Sequence, residues 1–101
     1  MDAMQLVPAA GSTPYTGATI SVARSADGSI FWSCQADDQQ KVFHQVGAAS
    51  TLVELPFAPT GRGQLAVLGG ELYLVTWNEH TSGEYKAGAY LIGPIAGYQA
   101  P

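Results

Sequence analysis

Twelve glycines and six prolines interrupt this chain so often that no window long enough for a stable helix keeps apolar residues at helical spacing. What recurs between them is a period of two, the mark of β-strands. Thr19 to Arg24 reads as a strand, Ser25-Ala26-Asp27-Gly28 as a turn, and Ser29 to Gln35 as a second strand rich in β-formers. Ala36 to Gln40 reads as a polar loop, Lys41 to Val46 as a third strand, and Thr51 to Leu55 as a fourth. After a Pro56–Gly63 loop, Gln64 to Leu68, Gly69-Gly70 and Glu71 to Trp77 form the clearest hairpin. Asn78 to Gly83 reads as a further polar loop, and Glu84 to Ile92 as a last strand with a bulge at Gly88. The expectation is one all-β domain over residues 15–101, preceded by an arm over 1–14.

The two halves of the chain match in order at a spacing of about 45 residues. Gln5-Leu6-Val7 corresponds to Thr51-Leu52-Val53, Ile20-Ser21-Val22 to Leu65-Ala66-Val67, and Gly28 to Trp32 corresponds to Gly70 to Leu74. Val46-Gly47 corresponds to Ile92-Gly93. Each repeat, about 4–47 and 51–97, holds an outlying strand, a proline loop, a glycine hairpin and a third strand. Four strands in such a period is the pattern of a β-propeller blade. A small β-barrel or β-sandwich is the alternative.

Strand faces bear on this. Ile30, Trp32 and Cys34 point one way and Phe31 the other; Leu72 and Leu74 oppose Tyr73, Val75 and Trp77. A lone sheet with one wet face alternates cleanly, whereas strands apolar on both sides sit between two layers. Two blades cannot close a ring, so completion by self-association is expected, with a trimer of six blades favoured.

The low charge agrees. Only 12% of residues are charged, against roughly 25% in an average soluble domain. Arg24, Lys41, Arg62 and Lys86 are the only cations and form no run, which argues against nucleic acid and anionic membranes. The amino-terminal residues carry no basic, apolar leader, and no run approaches the roughly 20 apolar residues of a membrane helix, so synthesis in the cytoplasm without membrane insertion is expected.

In architecture the chain resembles the small two-blade lectins that trimerise into six-bladed propellers and bind fucose. The likeness is carried locally by Asp27-Gly28-Ser29-Ile30-Phe31-Trp32-Ser33-Cys34, similar to that family's hairpin from glycine turn to strand cysteine. The family's sugar-binding arginine would fall near Ser21 and Ala66, its glutamate on Trp32 and its stacking tryptophan on Gln35. None matches, so the resemblance implies the architecture and not fucose binding.

Little points to catalysis. No nucleophile elbow, phosphate loop or zinc-protease motif occurs, and no cofactor motif is found. Cys34 reads as a buried structural thiol, His44 as a half-buried strand residue, and Asp37-Asp38 as a solvated turn. Glu79 and His80 alone supply too few ligands for a metal. Two roles follow. The first is a non-catalytic structural protein acting as a homo-oligomer, of the kind found as decoration, fibre or tail-tip proteins in phage-type virions. It would attach to a capsid or tail protein, with Met4, Leu6 and Val7 of the arm as assembly residues. The alternative is a lectin for surface glycans, with Trp77 as a stacking face beside Asn78, Glu79 and His80.

Overall fold

The computed structural model describes residues 5–56, 59, 62–81 and 84–98, with the side chains of 78–81 and 84–86 excepted. Seven strands form, and no helix occurs among the described residues. They are β1 (Ser21–Arg24), β2 (Ile30–Ala36), β3 (Gln39–Val46), β4 (Ala49–Leu52), β5 (Arg62–Leu68), β6 (Glu71–Thr81) and β7 (Glu84–Pro94). Two antiparallel meanders result, a four-stranded sheet β1-β2-β3-β4 and a three-stranded sheet β5-β6-β7. Each sheet contains one of the matching hairpins.

Turn chemistry explains the registers. Gly69 and Gly70 both take positive φ, 59° and 76°, between the paired Leu68 and Glu71. That is the backbone of a two-residue turn whose twist suits a hairpin. The same geometry appears where a loop was expected: Asp37 and Asp38 sit at φ 53° and 64° between the paired Ala36 and Gln39. Short polar side chains tolerate this region, so the strands run on to a tight turn.

The polar stretch from Asn78 also differs from expectation. β6 continues to Thr81, with Glu79 opposite Lys86 and His80 opposite Tyr85. The register shifts between Thr76 and Glu79, so two β6 residues, Trp77 and Asn78, oppose Ala87 alone. A bulge does fall beside Gly88, but its extra residue lies on β6. A second shift leaves Ile92 as the extra residue on β7. Ser82 and Gly83, and 57, 58, 60 and 61 of the preceding proline loop, lie outside the described residues.

Two apolar layers flank β2. Phe31, Val42 and Ala23 face Leu65, Leu72 and Leu74 of the second sheet, with Val53 buried beside them. Two side chains tie the sheets together: Ser21 Oγ accepts the Leu65 N–H at 2.9 Å, and Ser25 Oγ donates to the Ile95 carbonyl at 3.0 Å. On the other face, Ile30, Trp32, Cys34 and Phe43 form a second cluster, covered by Leu6, Ala9 and Ala18. The arm is therefore a layer of the fold, laid over the sheet to which it leads.

Candidate functional site

Trp77 stands opposite Arg62 on the β5–β6 ladder, and both border a cleft of about 140 Å³. Gly17, Ala18, Thr19, Gln35, Gln40 and Gly63 complete it, so the cleft lies where the two sheets and the arm segment meet. Gln40 is the most constrained of these. It is 2% exposed, and its Nε2 donates to Ser33 Oγ at 2.8 Å, which itself donates to the Lys41 carbonyl at 2.8 Å. Gly63 makes this approach possible, because a Cβ there would lie 3.0 Å from Gln40 Cγ and 3.1 Å from the Val75 carbonyl oxygen.

The arrangement offers an indole, a guanidinium and two amides. Such groups bind hydroxyls or a carboxylate; they supply no nucleophile and no acid–base pair. The cleft is small beside the roughly 300–1,000 Å³ of most ligand sites. Of the four residues singled out for glycan contact, Trp77 lines the cleft and is half-buried. Asn78, Glu79 and His80 follow it along β6, and their side chains lie outside the described ones. Arg62, Gln35 and Gln40 were not anticipated. Two amides on facing strands of a tight hairpin were the available signal.

The residues expected to mediate assembly belong to the arm. Met4 lies outside the described residues, whereas Leu6 packs on the Trp32 cluster. Val7 is held by Gln45, whose Oε1 accepts the Val7 N–H at 2.9 Å and the Trp32 Nε1–H at 3.1 Å. Gln45 Nε2 donates to the Gln5 carbonyl at 2.8 Å and the Gly47 carbonyl at 2.9 Å. Its amide thus bonds the arm as a neighbouring strand would. Further along, Thr13 N donates to Asp37 Oδ2 at 3.2 Å, Tyr15 N to the Gln35 carbonyl at 3.1 Å, and the Tyr15 hydroxyl bonds Asp38.

Cys34, His44 and Asp37 are each engaged by neighbouring groups. Cys34 is fully buried, and burial pushes its thiol above the ordinary range. His44 stacks on Phe31 at 4.5 Å and meets Tyr98 edge-on at 5.2 Å. Asp37 is held below the usual carboxylate range by the Lys41 ammonium at 2.9 Å and by the Thr13 N–H. No cluster of three or more His, Cys, Asp or Glu residues occurs among the described residues. No helix there is long and apolar enough to cross a membrane. The chain matches no protein-family profile, no curated protein and no solved structure.

Proposed function

We propose that this chain is a non-catalytic structural module that assembles with copies of itself head to tail. One observation carries the reading: the two halves pack through opposite faces. The first sheet presents its Phe31 face to the second, and the second answers with Leu72 and Leu74. By the sequence match, Leu72 and Leu74 correspond to Ile30 and Trp32, not to Phe31. The first strands agree, because Ala23 is inward in one half while Leu65, the counterpart of Ile20, is inward in the other.

Packing of unlike faces does not close on itself with two sheets. The second sheet is left with its Tyr73 face outward, where Leu68 is 72% and Leu91 59% exposed. The first sheet is left with its Trp32 face. There the row Val22–Trp32–Phe43–Leu52 has a covered centre and exposed ends, 55% at Val22 and 43% at Leu52. A second copy would bring its Tyr73 face onto the Trp32 face, meeting the exposed Val22 and Leu52 ends and the arm residues that cover the centre. Repetition closes a ring of blades, and three copies supply six, within the roughly four to eight of known propellers. Within a phage-type particle, such a ring would serve as a decoration, fibre or tail-tip protein on a capsid or tail protein.

Native mass measurement at micromolar concentration tests this. A trimer is expected, and Leu91→Asp should shift it to monomer with the circular dichroism unchanged. A monodisperse monomer of the parent chain would overturn the reading.

The Trp77 cleft favours a second role, glycan binding, because an indole, Arg62 and two amides converge there. Binding on a glycan array that disappears in Trp77→Ala would support it. Silence of the parent protein on the array would remove it.

A further inference from the structure

The two sheets differ by one strand, and the sequence match says which. Each half begins with an outlying segment, Gln5-Leu6-Val7 in the first and Thr51-Leu52-Val53 in the second. The second segment does not join its own sheet. Thr51 and Leu52 lie in β4, which pairs with β3 of the preceding half through Phe43↔Leu52 and His44↔Thr51. Val53 extends that contact, its N–H donating to the Val42 carbonyl at 2.8 Å and its side chain buried between the sheets. The counterpart of this arrangement would place residues 5–7 beside β7.

Within one chain that pairing is blocked. Residues 5–7 lie on the Trp32 face of the first sheet, and the second sheet lies on its Phe31 face. The first sheet stands between them. Among the described residues no strand pairs with the outer edge of β7. Sheet edges are usually blunted by charge or proline. From Ala87 to Gly93 this edge has neither. The arm also retains pairing capacity. Gln45 engages the Gln5 carbonyl and the Val7 N–H, while Leu6 makes no backbone hydrogen bond among the described residues.

We infer that the outer edge of β7 receives residues 5–7 of a second copy as its fourth strand. The inference rests on the head-to-tail reading and adds to it the element that joins the copies. It also gives the arm two tasks, covering Trp32 in its own chain and completing the sheet of the next.

Cysteine pairing tests it. Gln5→Cys protein is mixed with Ala87→Cys, Ala89→Cys or Leu91→Cys protein, all exposed positions that leave the core intact. Each variant is first checked by circular dichroism. Cys34 is fully buried and stays silent. Disulfides form only where Cα atoms come within about 7 Å. Mild oxidation should link Gln5→Cys chains to at least one of the three partners, with no linked pair from any variant alone. A trimer by native mass with no link at any position overturns strand addition and leaves the assembly reading standing. A monomer overturns both.

Discussion

The amide of Gln45 stands where a strand residue would stand beside Val7: its Oε1 accepts the Val7 N–H at 2.9 Å while its Nε2 holds the Gln5 carbonyl at 2.8 Å. One side chain, 1% exposed, thereby replaces a stretch of ladder. The same Oε1 satisfies the Trp32 indole N–H, so the arm and the core of the first sheet depend on one group.

Replacing Gln45 by Leu keeps the volume and removes every one of these bonds. The Trp32 N–H is left buried, and each buried donor without a partner costs about 1–3 kcal/mol. Chemical denaturation should show a loss of about 2–4 kcal/mol, the indole and the Val7 amide both being affected. Proteolysis of the native variant should cut first within residues 5–15. Unchanged stability and an uncut arm would mean that apolar contacts through Leu6 and Ala9 suffice.

Gly63 and Gly70 should resist substitution for different reasons. At Gly63 the backbone is ordinary but space is missing, since Val75 O and Gln40 Cγ crowd the Cβ position. Gly63→Ala should therefore cost about 1–3 kcal/mol, as overpacking does. Truncating its neighbour should relieve part of that, so Gly63→Ala with Gln40→Ala should lose less than the two single losses added together. At Gly70 space is open but φ is +76°. Gly70→Val should cost about 1–3 kcal/mol of backbone strain, with no relief from the Gln40 variant. Denaturation of the single and double variants separates these mechanisms.

The arm's far end should respond to pH at both extremes. Asp37 is depressed by Lys41 and the Thr13 N–H, so its contribution is present above the unfolded carboxylate range and is lost as pH falls through its lowered folded value. The Tyr15 hydroxyl is raised, chiefly by its bond to the Asp38 carboxylate. Its contribution is present below the unfolded tyrosine value and is lost as pH rises through the raised one. The protection of the Thr13 and Tyr15 amides, as exchange slowed relative to the unstructured chain at the same pH, should be constant through neutral pH and fall at either end. Tyr15→Phe should remove the alkaline limb and keep the acid one.

Local physics made the strands legible. Runs of β-branched and aromatic residues over Ile30–Cys34 and Leu72–Trp77, with Asp27-Gly28 and Gly69-Gly70 as turns, specified two hairpins from neighbours alone. The errors were also local. Ala36, Gln39 and Gln40, and Asn78-Glu79-His80, read as loops because polar residues disfavour strands in isolation, yet the pairs Ala36↔Gln39, Gln35↔Gln40, Glu79↔Lys86 and His80↔Tyr85 carry these strands on, with Asp37-Asp38 as the turn. Trp77 was legible as a half-exposed aromatic, whereas the Arg62, Gln35 and Gln40 beside it come from three other strands.

By itself, then, the sequence determined that β2 and β6 have two apolar faces, because a period of two is written in consecutive residues. Which layer covers each face was decided only in three dimensions. The second sheet lies on Phe31, and the arm lies on Trp32, anchored by Gln45 some 40 residues away from the segment it holds. Periodicity records that a face must be buried. It holds no information about the partner, because that depends on how distant segments fit in shape and satisfy one another's hydrogen bonds, a condition met only once the chain has closed on itself.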